Sequence, residues 1–387
     1  MMDDTFLPLP ARGVVIGKFY PYHLGHDYLF RVAQQNCKEL HILVCYRSSE
    51  DPSGVLRFDW VKDSHPNAKV QLREDVYDRN DDSALWARLT VEWLGFVPDI
   101  CFTSEEYGER WSQLIGCRYL LVDLDRKTVP TSGTAIRKTS GLGPSWSTLP
   151  PCVKSYYAVR VVVMGSESTG KTTLCSSLAS CYGASLVAEY GAELSTELLQ
   201  SELGGSLENS LDQTLPFTHE LFIKIVREQA RREDEGARAS PTGLVICDTN
   251  VAASTIWYDR YLPFATAAER SAFHAEVGHL LKRPALYLIS DVTEDTPFVQ
   301  NGICLTLTES DGEEHRERMG REFLQLAASP LVRGEGGGGG GTTCAVLRGG
   351  WKEREQIARH FIDKIMAGEK SEDGEFDLTR TLECKKN

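Results

Sequence analysis

Two stretches of the chain combine residue types and spacings that can handle phosphate. Gly17-Lys18-Phe19-Tyr20-Pro21-Tyr22-His23-Leu24-Gly25-His26 follows a hydrophobic run and sets two imidazoles three residues apart. At that spacing His23 and His26 share one face of a helix start. With the positive helix end they can stabilise charge that builds on a polyphosphate. Gly25 lets a nucleotide pack against backbone. Further on, Thr131-Ser132-Gly133-Thr134-Ala135-Ile136-Arg137 offers two hydroxyls, Ser132 and Thr134, and the Arg137 guanidinium at another helix start. The second stretch, Gly165-Ser166-Glu167-Ser168-Thr169-Gly170-Lys171-Thr172, fits G-x-x-x-x-G-K-[ST]. Its backbone N–H groups would turn inward around phosphate oxygens, Lys171 would reach the β/γ-phosphates and Thr172 would ligate Mg²⁺.

Each stretch needs a strand before it and a helix after it, and the pattern supplies both. Gly13–Ile16 and Val159–Met164 are the preceding hydrophobic runs. Further strand candidates are 40–46, 69–72, 99–104 and 118–123 in the first half, and 185–190, 243–248 and 285–290 in the second. Helical stretches such as His26–Gln35 and Ala84–Leu94 alternate with them, which implies parallel sheets with crossovers, hence α/β. Asp248 closes a buried strand and suits a Walker B acid holding metal through water. Glu189 ends the run after the P-loop helix, where an acid can hold acceptor hydroxyls or take the attacking proton.

The expected organisation is a tail over 1–11, a Rossmann-like domain over 12–145 and a Gly/Pro/Ser-bearing linker over 146–157. A P-loop domain then runs over 158–367, with a disordered charged tail over 368–387. The polar stretch 201–214 and the glycine run Gly336–Gly341 read as loop and spacer. With 42 Lys+Arg against 55 Asp+Glu, the net charge of −13 disfavours general binding to nucleic acid or anionic lipid. No apolar run is long enough to span a bilayer, and the acidic, Pro-bearing N-terminus has no signal-peptide pattern. Eleven cysteines without a C-x-x-C pair suit free thiols in a reducing cytoplasm.

The first constellation, with SGTAIR, resembles the G-x-F-x-P-x-H-x-G-H and [ST]-x-G-T/S-x-I-R elements of the nucleotidylyltransferase superfamily. Followed by a P-loop domain, it resembles the bifunctional NadR family, which joins nicotinamide mononucleotide adenylyltransferase to ribosylnicotinamide kinase. FTSEE (102–106), LVD (121–123) with Arg126, AEYG (188–191), Asp248-Thr249 and TPFVQNG (296–302) also correspond. The resemblance implies ATP and Mg²⁺ as cofactors, with the mononucleotide, the riboside and ATP as small-molecule partners. A homo-oligomer is among the open possibilities for the assembled chain. Lys18, His23, His26 and Arg137 would serve adenylyl transfer, with Gly17, Phe19, Gly25, Arg126, Ser132 and Thr134 binding nucleotide. Lys171, Glu189 and Asp248 would serve the kinase, with Gly165, Ser168, Thr169, Gly170, Thr172 and Thr173 around the phosphates and Thr172 and Asp248 on the metal. The family's upstream helix-turn-helix segment has no counterpart in the ten or so residues before the first strand. A DNA-binding role is therefore not expected.

Departures fall in the second half. Ala192 and Asn250 stand where the family has Arg and an acid. Asn301 and Cys304 replace an Asp and an Arg, with Arg316 or Arg318 as candidate substitutes. Two alternatives therefore stay open: an adenylyltransferase whose P-loop domain only binds ATP as a regulator, and a nucleotide sensor without catalysis. For the pyridine ring of the adenylyl acceptor, Trp86, Trp93 and Tyr107 are the stacking candidates, although Trp86 and Trp93 also suit a core.

Overall fold

A computed structural model describes residues 9–77, 82–202, 217–297, 309–334 and 342–369. The chain divides into two compact units, one up to Tyr157 and one from Ala158 on.

The first unit runs β1 (Arg12–Gly17), α1 (Leu24–Gln35), β2 (Glu39–Tyr46), α2 (Gly54–Ser64), β3 (Lys69–Glu74), α3 (Ser83–Leu94), β4 (Ile100–Thr103), α4 (Gly108–Ile115), β5 (Arg118–Leu121), α5 (Gly133–Lys138) and α6 (Pro151–Tyr157). The five strands pair in parallel in the order β3-β2-β1-β4-β5. Buried on both faces, β1 and β2 read as near-continuous apolar runs instead of alternating ones. The order reverses between β1 and β4, so the crevice at their carboxyl ends is where such a sheet receives a ligand.

The second unit begins with β6 (Val159–Gly165), α7 (Lys171–Tyr182), β7 (Ser185–Val187), α8 (Tyr190–Glu202), α9 (His219–Ala239) and β8 (Leu244–Asp248). It continues with α10 (Ser254–Tyr261), α11 (Ala267–Leu280), β9 (Leu286–Ser290), α12 (Glu309–Ala328), α13 (Pro330–Arg333), β10 (Thr343–Leu347) and α14 (Trp351–Met366). Its sheet is again all parallel, β10-β9-β6-β8-β7. One apolar cluster on each side of that sheet forms the core. Among the described residues no helix is long and apolar enough to cross a membrane.

Three expectations are corrected. Residues 146–157, expected as linker, are folded: a 3-10 turn over Gly143–Thr148 and α6 bury Trp146, Leu149 and Val153. Those three apolar side chains outweigh the Gly/Pro composition, and Pro151 sits in the first helical turn, where its missing N–H costs nothing. The strand expected over 185–190 stops at Val187, because Tyr190 already begins α8. Glu189 therefore lies in a strand-to-helix turn. Finally the strand candidates of the second half end at 285–290, but a further strand, β10, follows the glycine run and carries Cys344, Val346 and Leu347 buried at the sheet edge. The glycine run itself, most of the 201–214 stretch, and Asn301 and Cys304 lie outside the described residues.

Candidate functional sites

In the first unit a cavity of about 780 Å³ opens at the carboxyl ends of β1 and β4. All ten side chains or glycines expected there line it: Gly17, Lys18, Phe19, His23, Gly25, His26, Arg126, Ser132, Thr134 and Arg137. Local chemistry explains the placement. His23 caps α1, its Nδ1 accepting from the Gly25 N–H at 3.1 Å. A neutral ring that accepts at Nδ1 carries its proton on Nε2, leaving that nitrogen as a donor. The His26 ring stacks on it with centroids 3.7 Å apart. Burial, with the positive charge of Arg126 added, lowers His23 to about 3. Burial, then His23 and Arg126, also holds His26 well below the usual histidine range. The pair is neutral at pH 7.

Phe19, at φ 44°, turns its ring edge against His26 and Phe30. Ser132 caps α5 by accepting from the Ala135 N–H at 3.2 Å. Arg137 donates to the Tyr20 carbonyl and to Thr134 Oγ1, and lies 4.4 Å over the Tyr20 ring. It therefore ties the two motifs together. Gly133 is required by that closeness, since a Cβ there would lie 2.2 Å from the Tyr20 oxygen. Lys18 is held by Glu50 at 2.7 Å, and the same carboxylate takes the buried Arg57. Arg126 meets Glu105 at 3.1 Å. Of the stacking candidates only Tyr107 lines the cavity. Trp86 and Trp93 pack edge to face on the core beneath α3, because their spacing on that helix faces the sheet.

In the second unit a cavity of about 370 Å³ is lined by Ser168, Thr169, Gly170, Lys171, Thr172, Thr173 and Glu189. Gly165 and Asp248 lie behind that wall. Gly165, at φ 151°, passes so close to β9 that a Cβ would sit 2.4 Å from the Ser290 oxygen. Lys171 donates to the Ser166 carbonyl at 2.7 Å, and Thr172 Oγ1 to Asp248 Oδ2 at 2.5 Å. The other Asp248 oxygen, Oδ1, is buried with no hydrogen-bond partner among the described residues. A hydroxyl and a carboxylate with a spare lone pair fit an Mg²⁺ bound together with a nucleotide. Removal from water pushes Glu189 up to about 7. Lys171 opposes this, while Asp248 and Glu167 add to it.

Several contributors carried no sequence signal strong enough to find them. Phe217, Phe222, Trp257 and Tyr261 form an aromatic wall beside the P-loop, and Gln229 is part of it. Trp257 and Tyr261 stand four apart on α10, a spacing that any core-facing helix also shows. Burial would raise Glu167, but Arg260 pairs with it and keeps it below the usual carboxylate range. Arg354, from α14, donates to Ser290 Oγ at 2.8 Å, and Ser290 Oγ donates to the Thr169 carbonyl at 2.9 Å. This relay braces the phosphate loop from behind.

The substituted positions separate. Ala192 lines the cavity. Asn250 is fully buried, donating to Tyr287 and accepting from the Ala252 N–H, so it serves the fold at a turn. Neither Arg316 nor Arg318 lines the cavity. Arg316 is buried and donates to the Thr296 carbonyl, while Arg318 is exposed beside His315.

Comparison with known proteins agrees with these features. The sequence profile of a family described as "AAA domain" matches residues 160–328. The trifunctional NAD biosynthesis/regulator protein NadR of Escherichia coli is 29% identical in an alignment of 217 residues, with 50% of this chain and 51% of that protein covered. Its counterpart in Salmonella typhimurium is 28% identical over 257 residues, covering 58% and 60%. The chain thus spans about half the length of the curated relatives it matches. Two solved NadR structures, one in complex with NR and one with NAD and AMP-PNP, superpose with TM-scores of 0.66 and 0.64. Each is 18% identical and covers 94% of this chain and 98% of its own. These establish the shared fold. Over the 50–58% of its length that the curated relatives match, the chain is homologous to NadR.

Proposed function

We propose that the chain carries two ATP-dependent steps of NAD synthesis, one in each unit. The observation that carries this reading is the pair of polyphosphate cavities, each at the carboxyl end of its own parallel sheet and each equipped for a different transfer. The homology to NadR supplies the substrates. The P-loop unit would phosphorylate nicotinamide riboside. The first unit would join the resulting mononucleotide to AMP.

In the first unit a mononucleotide phosphate oxygen attacks the α-phosphorus of ATP, and the bond to the β-phosphate oxygen breaks, releasing pyrophosphate. His23 donates from Nε2, while Arg126 and Arg137 supply the positive charge. The Ser132 and Thr134 hydroxyls hold the phosphates in line. Tyr107 is the wall available to the pyridine ring. In the second unit the riboside hydroxyl attacks the γ-phosphorus, its proton passes to Glu189, and ADP leaves. Lys171 leaves the Ser166 carbonyl for the phosphates. Thr172 and Asp248 would hold Mg²⁺, which neutralises charge on the phosphates when bound. The aromatic wall faces the riboside's ring. Ala192 leaves that cavity without the family's arginine, and Arg260, through Glu167, is the nearby cation fixed to the loop.

The test is product analysis of purified protein with Mg²⁺-ATP and either the riboside or the mononucleotide. NAD from both substrates is expected. NAD from the mononucleotide alone would reduce the second unit to ATP binding, and none from either would refute the substrate assignment.

A further inference from the structure

Tyr20 lines the first unit's cavity, at a position where the G-x-F-x-P-x-H-x-G-H element accepts any residue. Its half-buried side chain is nevertheless fixed. The hydroxyl donates to the Asp51 carbonyl at 2.9 Å and accepts from the Asp51 N–H at 3.2 Å. Asp51 is itself held, since Tyr156 of α6 donates to its Oδ1 at 2.6 Å. The guanidinium of Arg57 lies 4.9 Å from the Tyr20 ring centroid, and Arg57 is fully buried. Glu50 and the carbonyls of Lys18 and Pro52 immobilise that arginine. Separate segments therefore hold one aromatic ring in place.

What the ring supports is Arg137, an exposed residue. An exposed arginine ordinarily samples many rotamers, and its charge is spread over the volume they sweep. Here one terminal nitrogen donates to the Tyr20 carbonyl and the other to Thr134 Oγ1 at 3.2 Å. The guanidinium carbon sits 4.4 Å over the Tyr20 ring. A guanidinium has five N–H groups, so this anchoring leaves donors over for a phosphate. A cation whose direction is set in the empty cavity needs less ordering when a polyphosphate arrives. An aliphatic side chain at position 20 would fill similar space but offer no π face.

We propose that Tyr20 is a positioning residue of the adenylyl-transfer site: its carbonyl and ring face aim the Arg137 guanidinium at the departing pyrophosphate. This rests on the reading of the first unit given above and adds to it a residue whose type the motif leaves open.

The experiment measures NAD formation from nicotinamide mononucleotide and Mg²⁺-ATP by the full chain, with pyrophosphate as product inhibitor. It compares the unaltered protein with Tyr20→Leu, Tyr20→Phe, Arg137→Ala and the Tyr20→Leu/Arg137→Ala double variant, thermal melting reporting the fold of each. Tyr20→Met takes the place of the leucine variant if that one melts below the assay temperature. Tyr20→Leu should lower kcat roughly tenfold and weaken inhibition by pyrophosphate by a similar factor, with KM for the mononucleotide unchanged. Tyr20→Phe keeps the ring face and the carbonyl, and should stay within about threefold of the unaltered kcat. In the Arg137→Ala background Tyr20→Leu should cost less than about twofold, because its effect passes through a guanidinium no longer there. A residue that merely steadied the loop would add its full loss in that background and leave pyrophosphate inhibition as it was. Unchanged kcat in Tyr20→Leu, the same loss with and without Arg137, or a Tyr20→Phe variant as slow as Tyr20→Leu overturns the inference. An unaltered protein that forms no NAD from the mononucleotide overturns the adenylyl-transfer reading itself.

Discussion

The two units solve one problem with different charges. Each sends its central strand, β1 or β6, into a glycine-bearing turn and then a helix whose start faces a cavity. In the first unit the groups at that start are neutral imidazoles backed by arginines from later elements. In the second they are a lysine and a hydroxyl backed by carboxylates. Under the proposed function, the difference follows from the bond broken. Adenylyl transfer needs charge spread along a departing pyrophosphate, which fixed arginines and imidazole donors can meet directly. Transfer of the terminal phosphoryl to a hydroxyl needs a metal on the phosphates and a base for the proton, for which the second unit offers Asp248 and Glu189, whereas Glu50 and Glu105 in the first cavity are paired with Lys18 and Arg126.

If that division of labour is right, single substitutions should separate the activities. The largest effect is expected from Lys171→Ala, which should lower riboside phosphorylation by about 10³-fold or more while leaving NAD formation from the mononucleotide intact. A parallel loss of both, measured in coupled assays, would break the comparison. His23→Ala should do the reverse, cutting adenylyl transfer by about 10²–10³-fold through loss of the Nε2 donor, with kinase activity retained.

The pH profiles should differ as well. Glu189 must be ionised to accept a proton, so kinase kcat should rise with pH along a limb near 7, shifted lower if bound Mg²⁺ favours the anion. Adenylyl transfer should lack that limb, and Glu189→Gln should abolish it. The same group sets a stability sign. Folded, it keeps its proton up to about 7, whereas an unfolded carboxyl loses it near 4.5. Its ionisation therefore costs stability as pH rises through 7, and calorimetry on Glu189→Gln should show that loss removed. The smallest effect on chemistry should come from Arg354→Met. It should cost the second unit about 2–4 kcal/mol and lower its melting transition by several degrees, without altering adenylyl transfer.

Sequence exposed the first unit's site more fully than the second's. Chemistry at His23, His26 and Arg137 sits in contiguous motifs at helix starts, where spacing and type are both informative, and all ten expected positions face one cavity. In the second unit the phosphate loop was equally legible, but the acceptor side was not. Its wall draws Phe217, Gln229, Trp257 and Tyr261 from separate segments whose periodicity is that of ordinary buried helices. The linker failed for a related reason. Composition marked 146–157 as a breaker, while three apolar side chains spaced for burial decided the outcome. β10 was hidden because a strand of five residues after a glycine run gains its meaning only from the β9 edge it joins.

The brace from Arg354 through Ser290 to Thr169 also sets an order of events during synthesis. The phosphate loop leaves the ribosome 185 residues before the arginine that steadies it. At about 5–20 residues per second that interval is about 10–40 s. Through that time the nascent second unit holds its glycine-bearing loop without that support, whereas the first unit, already synthesised, can fold while its neighbour is still being made.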